Sequence, residues 1–372
     1  MPQNKQPKLV RISEKLQQNM QYVDELMGLE TNFDIIHRVI RLGDTDACMY
    51  LIDGFCKDEL MQKILQYLMD LKAEDFPKDA HEMSKIAIPY VEVDLDDTWE
   101  KILGALLSGV FVLLLDGYEK AVLIDARTYP TRGVEEPDKD KVLRGSKDGF
   151  VETVVFNTAL IRRRIRSTDL HMEMLNAGEN SRTDIVLCYM ESRVDPKLLT
   201  QIRERIRSIQ VDALAMNQES LAECLYQRKW YNPFPKFKYT ERPDTAAAQV
   251  LEGNLVILVD NSPSAMILPT TIFDVVEEAD DYYFPPVTGT YLRLTRFLIA
   301  LLTYFVTPTY LLLMNHRMWI PENLEFIILK EDPNVPLILQ FLLLELAIDG
   351  LRLAAVNTPN MLSTPLSVMA AL

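Results

Sequence analysis

Three charged side chains interrupt an otherwise apolar stretch near the end of the chain. Val335–Val356 contains Glu345, Asp349 and Arg352. At about 2.5–3.5 kcal/mol for a charge at the centre of a membrane helix, the three would cost on the order of 8–10 kcal/mol facing lipid. On a helix they lie on one side, where they partly neutralise one another. The spacing predicts an intramembrane polar cluster that faces protein, water or its own members. An ordinary interfacial helix with a polar stripe is the alternative.

A second candidate site is basic and precedes a helix predicted at Phe150–Arg166. Arg144, Gly145, Lys147 and Gly149 lie in the sequence RGSKDG just before this helix. Backbone N–H groups and a lysine in such a turn are suited to hold an anion at a helix N-terminus. A flexible turn with a glycine hinge explains the same residues, so both interpretations stay open.

The same predicted helix ends in three consecutive arginines, Arg162, Arg163 and Arg164. Cations in the last turn of a helix complement its dipole. The run suits a contact with a membrane surface or with another subunit, and a solvated helix end explains it equally well. With the basic turn before the helix, it forms a candidate connector and assembly motif.

The motifs of common enzyme classes are absent from the sequence. It contains no Walker loop, dinucleotide-binding glycine pattern, nucleophile elbow or zinc-protease motif, and its four histidines are scattered. The four cysteines lack zinc-site spacing and are expected to be reduced and mostly buried. A net charge of −15 argues against nucleic acid as a partner, because duplex binders need a cationic surface. We therefore expect a non-enzymatic protein without a metal or cofactor.

An internal duplication organises the elements that must position these residues. GVFVLLLDGYEKAVL at 109–123 matches GNLVILVDNSPSAMI at 253–267 at an offset of 144 residues, and both patterns predict β-hairpins. An earlier pair of strands, at 47–52 and 184–190, repeats at an offset of 140. Helices are predicted at 57–71, 97–107, 196–209 and 245–251. The twofold order of strand, helix, helix and hairpin predicts an α/β fold of two similar small subdomains, each a sheet covered by helices.

An uncharged apolar run at 297–314 predicts a membrane span. As a helix it is about 27 Å long, against roughly 30 Å of hydrocarbon. A buried core helix is the alternative. Arg293 and Arg296 precede the run, and the N-terminus lacks an apolar signal sequence, which together predict a cytoplasmic N-terminal part. A further apolar run begins at Pro365, so the chain is expected to be truncated within its membrane region.

These patterns divide the chain into four predicted parts. They are an N-terminal arm at 1–30, a first α/β subdomain at 31–130, a charged connector with the second subdomain at 131–290, and an α-helical membrane region at 291–372. Within the membrane region lie the span at 297–314, the acidic helix at 335–356 and the start of a further span from 365.

The stretch 132–175, RGVEEPDKDKVLRGSKDGFVETVVFNTALIRRRIRSTDLHMEML, resembles the most characteristic segment of the GerA family of spore germination proteins. The resemblance continues through TDIVLCYMESRVDPKLL and YYFPPVTGTYLRLTRFLIALL to FLLLELAIDGLRLA, so it covers nearly the whole chain. The wording RGVEEPD and the short polar N-terminal arm are most similar to the stage V sporulation AF branch of that family.

The resemblance implies a cytoplasmic two-subdomain α/β domain followed by several helices in the spore inner membrane. It also implies a homo-oligomer that assembles with other germination membrane proteins into an ion-conducting complex. The function expected is a non-enzymatic subunit that promotes ion release across the lipid bilayer during germination. The alternative is a nutrient receptor that holds a small-molecule ligand between its subdomains, and a ligand-sized polar pocket there would distinguish the two.

Overall fold

The continuous apolar runs of the sequence become the central strands of two antiparallel sheets. The computed structural model describes residues 11–56, 58–129, 147–226, 234–271, 273–274, 284–328 and 334–356. The first sheet has the strand order β1-β2-β4-β5-β3 and the second has the order β6-β7-β9-β10-β8, so their topology is the same. The strands are β1 (Ile35–Leu42), β2 (Thr45–Ile52), β3 (Val93–Asp96), β4 (Phe111–Leu115), β5 (Ala121–Ile124), β6 (Leu170–Ala177), β7 (Thr183–Met190), β8 (Lys238–Thr240), β9 (Leu255–Val259) and β10 (Ala265–Leu268).

Each sheet is the middle layer of three. The helices of this region are α1 (Leu16–Met27), α2 (Asp58–Met69), α3 (Ala80–Ile86), α4 (Trp99–Leu107), α5 (Val154–Arg164), α6 (Pro196–Arg207), α7 (Gln218–Leu225) and α8 (Pro243–Glu252). In the first sheet α2 and α3 cover one face, while α1 and α4 cover the other. In the second sheet α6 and α7 cover one face, while α5 and α8 cover the other. Every residue of β4, β5, β9 and β10 is buried, because these strands have a helix layer on both faces, and this explains their unbroken apolar sequence.

The predicted α/β fold of two similar subdomains is confirmed. The two hairpins form at the predicted offset of 144 residues, with β4 and β9 at 111–115 and 255–259. The earlier strand pair, β2 and β7, begins at Thr45 and Thr183, so its offset is 138 residues rather than 140. Each of these strands also pairs with a preceding strand, β1 or β6, at the edge of its sheet, and neither edge strand was predicted.

The structural repeat begins with a helix that precedes each sheet. The backbone N–H of Leu16 in α1 donates to the carboxylate of Asp116 (2.9 Å), and that of Val154 in α5 donates to Asp260 (3.1 Å). Both aspartates come from the turn of a hairpin, so each hairpin caps the helix that starts its own repeat. Helix α1 packs into the core of the first subdomain and therefore extends the repeat to before residue 31, where the subdomain was predicted to begin.

The chain divides into two units, residues 1–289 and 290–372. Helix α9 (Pro286–Asn315) contains the predicted span, and α10 (Leu337–Val356) contains the acidic stretch. Two short 3₁₀ turns, Arg317–Trp319 and Glu322–Ile327, lie between them. Among the described residues, α9 is the one helix that is long and apolar enough to cross a membrane. The apolar run from Pro365 lies outside the described residues.

Candidate functional site

Two residues of the predicted assembly motif, Arg162 and Arg163, lie at the joint between the two subdomains. We use "joint" for the contact that the end of α5 and the start of β6 make with residues 28–34, 52–55 and 128–129 of the first subdomain. Helix α5 begins at Val154 rather than at Phe150, so the predicted start was wrong by four residues. The residues before it are extended because the side chain of Asn157 exchanges hydrogen bonds with the backbone of Val151 (2.8 and 2.6 Å).

Arg162 is the centre of the joint. Its Nε and Nη2 donate to the two carboxylate oxygens of Asp34, at 2.7 and 2.9 Å, and its Nη1 donates to the carbonyl of Leu170 at 3.1 Å. The side chain of Arg162 is 0% exposed and that of Asp34 is 2% exposed. A charge buried this deeply is stable only when it is paired and hydrogen-bonded. A solvated helix end is therefore wrong for Arg162, which instead links the second subdomain to the residue before β1.

Arg163 makes a different contact with the first subdomain. Its guanidinium lies 4.3 Å from the centre of the Tyr129 ring, a cation–π geometry, and that ring meets Phe55 edge to face at 5.2 Å. Arg166 lies two residues beyond the end of α5 and donates a hydrogen bond to the Tyr129 hydroxyl at 3.3 Å. Tyr129 directly precedes the part of the connector at 130–146 that lies outside the described residues. The arginines thus hold the end of the first subdomain against α5.

Arg164 turns back toward its own subdomain. It donates to the carbonyl of Leu160 (2.9 Å) and forms an ion pair with Asp148. Lys147 is exposed and Gly149 is buried, both several residues before the first turn of α5. The first N–H of that helix already donates to a carboxylate, so an anion there would meet a negative charge. Arg144 and Gly145 lie outside the described residues, so their predicted role stays a prediction.

Main-chain groups complete the joint. The side-chain oxygen of Asn32 accepts from the N–H of Met172 (2.7 Å), and its amide donates to the carbonyl of Met27 (2.6 Å). The N–H of Phe33 donates to the carbonyl of Met172 (3.3 Å), and its ring packs against the core of the second subdomain. The two contacts with Met172 join residues about 140 positions apart in sequence. Nothing in the local pattern of the sequence indicated them.

A histidine lies beside these main-chain contacts. The Nδ1 of His171 is 2.9 Å from the hydroxyl of Thr31, and its ring stacks on Tyr189. Burial is the largest effect and lowers the pKa of His171; the charge of Glu191 raises it, that of Arg162 lowers it, and the net shift is downward. The folded state therefore favours the neutral imidazole. Since an unperturbed histidine titrates near pH 6.5, acidification through that range works against the folded joint.

The acidic membrane-region helix is the second candidate site. Glu345 and Asp349 are exposed and lie one turn apart on the same side of α10. The side chain of Arg352 lies outside the described residues. Helix α10 packs on α9 through the rings of Phe341 and Tyr310, whose centres are 6.0 Å apart.

The receptor alternative requires a ligand-sized pocket between the subdomains, so the position of concave surface among the described residues is informative. A shallow, open depression is lined by residues of α6 and its N-terminal cap, namely Asp195, Pro196, Lys197, Leu198, Thr200, Gln201 and Glu204. It lies along a single helix and not between the subdomains, where the receptor alternative requires a pocket. Among the described residues, no group of three His, Cys, Asp or Glu side chains is arranged to hold a metal ion.

The sequence of this chain is similar to those of known spore germination proteins. A family profile described as "Bacillus/Clostridium GerA spore germination protein" matches residues 21–372. The chain is 38% identical to stage V sporulation protein AF of Bacillus subtilis strain 168, over 100% of this chain and 75% of that protein. It is 27% identical to spore germination protein KA of the same organism, over 100% and 69% of the two chains.

A solved structure also resembles the first unit. It is the crystal structure of the N-terminal domain of the A subunit of the Bacillus megaterium spore germinant receptor GerK3. The TM-score is 0.55 at 27% identity, and the match covers 71% of this chain and 98% of that one. At this similarity the two-sheet architecture of residues 1–289 has a counterpart in an experimental structure.

Proposed function

This chain belongs to the GerA family of spore germination proteins, and on that premise we propose that it is a non-enzymatic membrane subunit that promotes ion release across the spore inner membrane during germination. Membership of the family assigns it a role in spore germination. The proposal adds three statements to this role. The chain promotes ion release, it assembles into a homo-oligomer with other germination membrane proteins, and it crosses the lipid bilayer several times.

The observation that carries the proposal is the exposed pair of carboxylates on α10. Between Leu337 and Leu351 this helix has one other polar side chain, Gln340, and it packs on a helix of membrane-spanning length. Glu345 and Asp349 are costly against lipid, at about 2.5–3.5 kcal/mol each on insertion scales. A helix that served only as an anchor would be more stable without them. Carboxylates in such a position suit a water-filled path for cations or a contact between subunits.

The joint supports a role in assembly for the soluble unit. Arg162, Arg163 and Arg166 fix the two subdomains to each other through contacts with Asp34 and Tyr129. The two sheets can therefore act as one rigid body in an oligomer. We assign residues 1–289 to a cytoplasmic assembly or regulatory module and residues 290–372 to the membrane region.

A nutrient receptor is the second candidate. It is favoured by the likeness of residues 1–289 to the N-terminal domain of a germinant receptor A subunit. The depression along α6 faces one helix, which is a poor match to the enclosed, mixed-polarity pockets that bind small ligands. Saturable binding of an amino acid or sugar to the purified soluble unit would favour the receptor over the release subunit.

The release function is tested by cation efflux from germinating spores. In a spore-forming host that lacks its own copy of this chain, we expect monovalent cations to leave more slowly after the germination stimulus. Expression of this chain should restore the rate. If efflux is the same in the presence and absence of the chain, with the protein detected in the inner membrane, the proposal is wrong.

The cytoplasmic location of the soluble unit has its own test. Cys224 in α7 is exposed and serves as a native reporter, and a cysteine in place of the exposed Glu322 reports on the segment after α9. In intact protoplasts, a membrane-impermeant maleimide should label Glu322→Cys and leave Cys224 unlabelled until detergent is added. The Cys224→Ser variant corrects for labelling at Cys56. Labelling of Cys224 in intact protoplasts would mean that this unit lies outside the cytoplasm, opposite to the proposed topology.

A further inference from the structure

The short segment between α9 and α10 exposes large apolar side chains, as the two helices themselves do. In residues 316–328 the side chains of Met318, Phe326 and Trp319 are 96%, 81% and 62% exposed. Leu324 is exposed as well. Scattered single apolar residues are ordinary on a protein surface, but four within the nine residues 318–326 form a patch that needs a partner.

The geometry holds this segment beside the end of α9. The hydroxyl of Tyr310 is 3.5 Å from the carbonyl of Ile327, near the far end of the segment. Tyr310 precedes the helix end at Asn315 by five residues, which is about 7.5 Å along the axis at 1.5 Å per residue. The segment therefore folds back to the level of the last turns of the apolar helix and does not extend away from it.

Acidic and apolar side chains of the segment lie on different sides of it. In a 3₁₀ turn residues three apart lie one above the other, so Glu322 and Glu325 share one side and Phe326 occupies another. Trp319 stacks on His316 with ring centres 4.6 Å apart, beside Arg317. Tryptophan next to cationic and carboxylate groups at the end of an apolar helix is typical of the boundary between lipid and water.

We infer that residues 316–328 lie in the interface of the lipid bilayer, with Met318, Trp319 and Phe326 among the upper acyl chains and the two carboxylates toward water. This inference rests on the proposed function, because it needs α9 to cross a membrane. It goes beyond that function by assigning a lipid-binding surface to a connecting segment. The interface would then fix the depth at which α10 begins, and with it the depth of the acidic pair.

Tryptophan fluorescence tests the inference on the full chain in vesicles of phosphatidylcholine and phosphatidylglycerol. Trp99 and Trp230 contribute the same emission to the wild type and to Trp319→Phe, so the difference between the two spectra belongs to Trp319. Lipids brominated near the headgroup end of the acyl chain should quench this difference about twofold more than lipids brominated near the chain end. Aqueous iodide should quench it weakly.

A second variant checks the same surface independently. Phe326→Trp in the Trp319→Phe background should regain an emission component with the same preference for shallow bromine. Strong quenching of either residue by iodide would mean a water-exposed loop, and resistance to both quenchers would mean that protein covers the segment. Either result overturns the inference.

Extraction of the vesicles with alkaline carbonate separates this inference from the function it rests on. Release of the chain from the membrane would contradict the proposed membrane subunit itself. Retention of the chain together with iodide quenching of Trp319 would contradict only the interfacial position of the segment.

Discussion

Replacing Glu345 by Gln and Asp349 by Asn together is expected to reduce cation efflux from germinating spores to the rate of spores that lack the chain. Glu345 is the ninth residue of α10 and Asp349 the thirteenth, about 12 and 18 Å from the helix start. In the proposed multi-pass arrangement, with α10 starting at the membrane surface, these depths are central in a hydrocarbon layer of roughly 30 Å. Negative charge there lowers the energy of a cation in transit, and a barrier raised by only about 1.4 kcal/mol slows passage tenfold.

The amide substitutions keep side-chain size, so they separate charge from packing. Glu325→Gln is the matched control, because it removes an exposed carboxylate from a 3₁₀ turn outside both helices. It should leave efflux unchanged. Protein abundance in the inner membrane and co-purification of two differently tagged copies distinguish lost conduction from lost assembly. If the double variant shows wild-type efflux and wild-type assembly, α10 is only an interfacial helix and its carboxylates have no role in conduction or assembly.

The sequence predicts the central strands well because their environment is local and uniform. The central strands β4 (FVLLL) and β9 (LVILV) are buried on both faces, so their sequences are continuously apolar. The residues between the hairpin strands allow a tight turn, and the duplication can therefore be recognised from the sequence alone. The edge strand β1, IIHRVIRL, has five exposed residues of eight, and its mixed pattern matches neither a buried strand nor a helix. A strand at a sheet edge owes its structure to its neighbour more than to its own sequence.

The candidate site was only half predictable for a different reason. The arginine run was recognised, but the partner of Arg162 lies 128 residues away, and Asp34 carries no local signal that it is buried. The duplication is of little help, because Asp169 holds the corresponding place before β6 and is bonded to Ser192 instead. Identical architecture in the two subdomains therefore coexists with different contacts at the same position. Only the three-dimensional arrangement reveals which arginine is structural.

Replacing Asp34 by Ala is expected to lower the free energy of unfolding of the first unit, residues 1–289, by roughly 3–5 kcal/mol, because it leaves the guanidinium of Arg162 buried without its carboxylate. Urea unfolding followed by circular dichroism measures the change. Breaking the joint should also divide the single transition expected of the wild type into two, one for each subdomain. An exposed pair provides the matched control: Arg41 and Asp46 are 70% and 62% exposed, so Asp46→Ala should cost less than about 1 kcal/mol.

A double variant decides whether charge burial is the cause. When both partners become apolar, as in Asp34→Leu with Arg162→Met, no charge remains unpaired, and replacement of a buried ion pair by apolar groups is often close to neutral. We therefore expect the double variant to be more stable than Asp34→Ala, although it has lost the same ion pair. A double variant as unstable as the single one would mean that the joint depends on the hydrogen bonds and exact shape of this pair. A loss in Asp34→Ala no larger than that in Asp46→Ala would mean that the two subdomains are held together by the Tyr129 and Asn32 contacts alone.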